Sequence, residues 1–219
     1  MVLGLARHLV LNGLAIRRSI RRAGDKNLPY RAIAKATLRW LVPIVALTLR
    51  VRKNRLIFSL TTFSFHAAIL IVPVFLAGHI ALWEEAAGIS WWAIPNRLAD
   101  ALTLVAVAMA IALVIERATA RDTRSLSRFG DYVLPLLVAL PFASGFCLMH
   151  PGINPLPFDV MMLVHVMSGN LLLVLIPLTK LSHAVLLATT QLVSEVAWHF
   201  PPTAGSEVAV CLGKENEPV

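Results

Sequence analysis

Four long apolar runs joined by short polar stretches constrain this chain more than any other feature. They lie at about Leu56–Trp83, Leu98–Ile115, Tyr132–His150 and Phe158–Val193. A helix needs about 20 mostly apolar residues to cross the hydrocarbon of a bilayer, and each run approaches or exceeds that length. The fourth is long enough to protrude. Composition agrees: 58% of the 219 residues are hydrophobic and only 15% are charged, a balance more apolar than soluble domains show. The expected fold class is all-α, an integral membrane helical bundle with four transmembrane helices preceded by N-terminal interfacial helices.

Residues 1–22 are apolar early and basic late, with Arg7 and His8 interrupting the run. A secretory signal has the opposite order, so this stretch reads as an interfacial helix or a weak first span. Residues 36–50 hold a short apolar core containing Pro43, too short to cross and better placed along the membrane surface. The expected organisation is a basic interfacial or cytoplasmic region over 1–55, a transmembrane four-helix domain over 56–195 and a cytoplasmic tail over 196–219.

Charge sets the expected orientation. Of the 20 Lys and Arg residues, 13 precede residue 56, and Arg117, Arg121, Arg124 and Arg128 crowd the joint between the second and third runs. The first joint has only Arg97, and the third (HPGINPLPF) has none. Positive charge stays in the cytoplasm, so both termini and the second joint are expected there. The net charge of +8 is then explained by topology and anionic lipid headgroups, and no nucleic-acid partner is expected. Cys147 and Cys211 form no CxxC or other metal spacing, so neither a disulfide framework nor a zinc site is implied.

Of the seven histidines, two lie in the first run, His66 and His79, and two in the fourth, His165 and His183. An ionisable residue within a membrane is costly and is a functional candidate by default. On one continuous helix, His165 and His183 are five whole turns apart, on one face and separated by roughly 27 Å. His66 and His79 are separated by roughly 20 Å, with a phase difference of about 220°; Pro73 would have to bend or re-phase that helix. Because the two runs are antiparallel, His66 matches the depth of His183, and His79 that of His165. Two imidazole pairs at two depths are what two stacked bis-histidine haems require. A lone intramembrane histidine is more often a satisfied polar residue of the bundle, but four at matched depths are hard to explain that way. His150, followed by Pro151 and Gly152, reads as an exposed span end, with a ligand or quinone-pocket role as the alternative. His8 and His199 are left unassigned.

The segments FSFHAAILIVPVFLAGH (Phe63–His79) and HVMSGNLLLVLIPLTKLSHAV (His165–Val185) resemble the gamma subunit of respiratory nitrate reductases. They are closer still to the cytochrome b subunits of heterodisulfide-reductase-like and sulfate-reducer transmembrane redox complexes, over roughly residues 36–200. The weak first span and the longer spacing between His66 and His79 favour the second group. The resemblance implies a multi-pass subunit of a prokaryotic cytoplasmic membrane carrying two haem b, with His66 paired to His183 and His79 to His165. It also implies electron transfer between quinone and a cytoplasmic iron–sulfur subunit, and it leaves room for a periplasmic cytochrome subunit.

Two further sets of residues are candidates. Gly78, His79, Trp83, Glu84 and Glu85 form a possible quinone site, against the plainer reading of an aromatic belt and a solvated turn. Arg50, Arg52, Lys53, Arg55 and Lys180 are candidate contacts for haem propionates, or ordinary positive-inside anchors. The rival functions are a haem-free anchor for a redox complex and a transporter using histidines for metal or protons. A transporter of that kind would be expected to carry inverted repeats, and none is visible.

Overall fold

The structure is a computed structural model describing residues 2–23, 31, 33–35, 38, 56–197, 204–211 and 213. Helices follow the apolar runs: α1 (Val2–Ala23), α2 (Leu56–Phe75), α3 (Ala77–Ala87), α4 (Asn96–Thr119), α5 (Arg121–Ser125), α6 (Phe129–Met149), α7 (Phe158–Leu178), α8 (His183–Ala197) and α9 (Ala204–Cys211). Single 3-10 turns cover Pro151–Ile153 and Lys180–Ser182. The described residues contain no strand. Helices α2, α4, α6 and α7 are each long and apolar enough to cross a membrane, so the chain is an all-α, multi-pass membrane protein. Helix α1 is not among these four.

The chain divides into two compact units, Leu47–Leu173 and a second formed by Met1–Ala46 with Val174–Val219. In the larger unit α4 packs against both α2 and α6. The start of α2 meets the end of α4 where the Thr61 hydroxyl donates to Glu116 Oε1 at 3.0 Å, so these helices run antiparallel. Arg117 donating to Ser127 Oγ at 3.3 Å and the 3.6 Å approach of His150 to Asp100 set the same relation between α4 and α6.

The buried side of α4 is Ala99, Thr103, Ala106, Ala110 and Leu113, and that of α2 is Thr61, Phe65, Ala68 and Val72. Both follow alternating steps of four and three, the narrow seam of left-handed helix packing. Small residues dominate on α4 because lipid tails are as apolar as side chains, leaving close packing to hold helices together in a membrane. The remaining faces carry exposed Leu, Ile, Val and Phe, as lipid contact requires.

The first run is not one helix. It stops at Phe75 and resumes at Ala77, with Leu76 extended at φ −75°, ψ 128°. Carbonyls freed by the break find partners from the loop before α4. Ile94 N–H donates to Phe75 O at 3.0 Å, Trp91 Nε1–H donates to Val74 O at 2.9 Å, and Trp92 stacks on Phe75 at 4.4 Å.

The fourth run is also broken, which corrects the expectation of one helix from Phe158 to Val193. Pro177 lies in the last turn of α7 and lacks an N–H. Thr179 is extended and accepts from Leu181 N–H at 3.2 Å, starting a 3-10 turn that leads into α8. His165 and His183 therefore sit on different helices, and a five-turn phase relation between them does not apply.

In the smaller unit α1 packs along α8. His8 Nε2–H donates to Pro177 O at 2.7 Å, and Asn12 donates to Thr189 Oγ1 at 2.8 Å. A Cβ at Gly4 would lie 2.6 Å from Pro177 Cβ, so glycine lets α1 reach the proline. Ile33 is buried against Ile20 and Leu192.

Candidate functional site

The larger unit brings His79 of α3 and His165 of α7 together. Their ring centroids are 6.1 Å apart and the planes are within 14° of parallel. The break at Leu76 allows this, because it resets the phase of His79 relative to His66. It also frees the Pro73 carbonyl, which accepts from His79 Nδ1 at 3.0 Å.

His165 is seated against α6. Its Nδ1–H donates to Pro141 O at 2.9 Å, and Ser144 Oγ lies 3.3 Å from the same nitrogen. A Cβ on Gly145 would come within 2.9 Å of His165 Cε1 and 3.2 Å of Nδ1. Gly145 is thus the glycine that makes room for the ring. A Cβ at Gly78 would meet nothing within 4 Å, so no protein group requires glycine there. In both histidines Nδ1 is tied to a backbone carbonyl, which fixes the tautomer and leaves Nε2 for a ligand bond.

His66, on α2, lies half-buried in the larger unit. Its Nδ1 bonds Thr62 O at 2.7 Å, and Phe65 meets its ring edge-on at 5.5 Å. His183, the first residue of α8, belongs to the smaller unit and is exposed; its Nδ1 bonds Lys180 O at 2.6 Å. Lys180 is exposed in the turn before it. Arg50, Arg52, Lys53, Arg55 and His199 lie outside the described residues.

Trp83, Glu84 and Glu85 are exposed along α3. Among the described residues no hydrogen bond or ring contact joins them to His79. His150 is the C-cap of α6, as a span end should be, yet its ring is engaged. It stacks on Phe146 at 4.1 Å, bonds Phe146 O through Nδ1 at 2.9 Å and holds Nε2 3.6 Å from Asp100 Oδ2.

Sequence reasoning passed over Pro141, Ser144, Gly145 and Asp100. Only Gly145 carried a visible signal, as a glycine inside an apolar run, and nothing local linked it to a histidine 20 residues on. The described residues hold no cluster of three or more His, Cys, Asp or Glu side chains able to bind a metal ion.

No family model and no solved structure matches the sequence. A curated protein of Nitratidesulfovibrio vulgaris (strain Hildenborough), described only as "Protein", is 35% identical over 153 residues. The match takes in 69% of this chain and 65% of that relative, so the chain spans just under two thirds of its length.

Proposed function

We propose that the chain is a membrane dihaem cytochrome b subunit that passes electrons between the quinone pool and a cytoplasmic iron–sulfur subunit. The observation that carries this reading is the His79–His165 pair. Two imidazoles that shared one metal ion, each through a bond of about 2 Å, would have ring centroids up to about 6 Å apart. The 6.1 Å spacing of these near-parallel rings, with both Nδ1 atoms already tied to carbonyls, fits that arrangement.

In this reading His79 and His165 would hold one haem b, and His66 and His183 would be the ligands for the other. Bound haem would supply one-electron carriers. The protein's own part is orientation and exclusion of water. The Pro73 and Pro141 carbonyls aim the rings and raise their basicity, and the apolar helices keep the site dry. The orientation follows the positive-inside pattern: the arginine-rich α4–α6 joint faces the cytoplasm of a prokaryotic inner membrane, and the His79–His165 pair lies toward the outer side. The iron–sulfur partner docks on the basic cytoplasmic side, and a periplasmic cytochrome subunit is compatible with the opposite one.

A pyridine haemochrome assay on the purified chain and on its His66→Ala and His165→Ala variants tests the proposal. The expected result is two haems b per chain, falling toward one in each variant. Folded, membrane-inserted protein without haem would overturn the reading in favour of a haem-free anchor. Metal or proton flux in vesicles would instead support a transporter.

A further inference from the structure

Several polar side chains within the spans are closed onto their own helix. Thr103 Oγ1 donates to Ala99 O at 2.8 Å, Ser144 Oγ to Leu140 O at 2.9 Å and Ser168 Oγ to His165 O at 2.9 Å. Asn170 differs. It lies 12 residues after the start of α7 at Phe158 and 8 before its end at Leu178, about 18 Å from one end of the span and about 12 Å from the other. Its side chain is exposed, and among the described residues no group hydrogen-bonds the amide. A primary amide turned to hydrocarbon leaves an acceptor oxygen and two N–H donors unsatisfied, and each is costly there.

The neighbours of Asn170 form a seam. Val160, Leu163 and Met167 are 44%, 60% and 58% exposed, and with Asn170 they follow steps of three, four and three. At 100° per residue the four lie within about 80° of one another, on the side of α7 opposite His165. This is the spacing by which two helices interlock, with a polar residue at one seam position.

The chemistry of that position names the occupant. The amide carries partial charges of both signs, so a second amide turned about is its complement. Two copies of one multi-pass chain enter the membrane in the same orientation, and their α7 helices can therefore meet in parallel. In a two-fold contact of that kind each residue meets its counterpart at the same depth. Asn170 then faces Asn170 of the second copy, with Leu163 and Met167 packed beside it. A single asparagine at a seam position fixes register and strand number in parallel coiled coils, and amide hydrogen bonds between helices hold them together in lipid.

We propose that this face of α7 pairs two copies of the chain in the membrane, through hydrogen bonds between their Asn170 side chains. The pairing does not rest on the haem reading, since it uses the side of α7 away from His165.

Full-length chains labelled with donor or acceptor dye and reconstituted together in phosphatidylcholine vesicles test this by energy transfer. The label is carried on Cys211, which is exposed, with Cys147→Ser preventing a second site. Transfer in the wild type is expected to fall when unlabelled chain is added and when lipid dilutes the protein. Asn170→Leu is expected to raise the dissociation constant, in mole fraction of lipid, about three- to thirtyfold. Asn170→Gln keeps the amide and is expected to lose less. Met162→Ala changes another exposed side of the same helix and is expected to leave the constant unchanged. The pairing is overturned by the same constant in Asn170→Leu or by equal weakening in Met162→Ala. Wild-type transfer no greater than random proximity also overturns it, and would assign the seam to a helix of another polypeptide.

Discussion

Replacing Gly145 with alanine should loosen the grip on His165 without replacing any proposed ligand. The added Cβ would lie 2.9 Å from His165 Cε1 and 3.2 Å from Nδ1, where ordinary contact begins near 3.4 Å. Both helices are fixed by their own ladders, so the imidazole must retreat by about 0.5 Å. A retreat directly away from α6 stretches the Nδ1···Pro141 O bond from 2.9 Å to about 3.4 Å, outside the usual range for N–H···O bonds. The loss of that bond costs about 1 kcal/mol, and overpacking adds about 1–3 kcal/mol. Loss of a carbonyl that orients a metal-binding histidine typically weakens metal affinity about 10–100-fold. The haem-to-protein ratio after size exclusion in detergent should therefore fall toward one for Gly145→Ala. Gly130→Ala, on the same helix and with nothing within 4 Å of its new Cβ, should match wild type. Wild-type haem content and spectrum in Gly145→Ala, or equal loss in Gly130→Ala, would refute the argument that the α6 seat positions His165.

Two predictions concern the bundle itself. Ala106 is fully buried on the seam of α4, so Ala106→Leu should force α4 away from its neighbours and lower thermal stability in detergent by about 1–3 kcal/mol; an unchanged Tm would show that the seam is not tightly packed. Thr61→Val removes the partner of Glu116 Oε1 while Glu116 Oε2 is already buried without one among the described residues, so the variant should lose about 1–3 kcal/mol. Adding Glu116→Leu to it should recover part of that loss, and a double variant less stable than Thr61→Val would count against the explanation.

The four spans were legible because hydrophobic length is written directly in the sequence. The breaks were less so. The α2–α3 interruption follows Pro73 and the α7–α8 interruption follows Pro177, yet Pro135 and Pro141 lie inside an unbroken α6. A proline alone does not settle the matter, because a break survives in a membrane only if the carbonyls it frees are satisfied. For α2 the donors come from Trp91 and Ile94, and for α7 one comes from His8. These partners are distant in sequence and follow no period. The same holds for the seat of His165, built by α6 residues that no histidine spacing reveals. The assumption of a continuous fourth helix failed for this reason, whereas the re-phasing needed between His66 and His79 was anticipated at Pro73 and occurs at Leu76.

The attachment of α1 has a consequence for how the protein is made. Its anchors, Pro177 and Thr189, are 173 residues after Gly4 and 177 after Asn12. During synthesis the first helix emerges long before either anchor exists, and all four spanning helices are translated before it can dock. Until then the side that carries Gly4, His8 and Asn12 has no partner helix to rest on. Docking of the N-terminus is thus a late event, and a ribosome stalled ahead of residue 177 would leave α1 open to protease even with the first three spans already inserted.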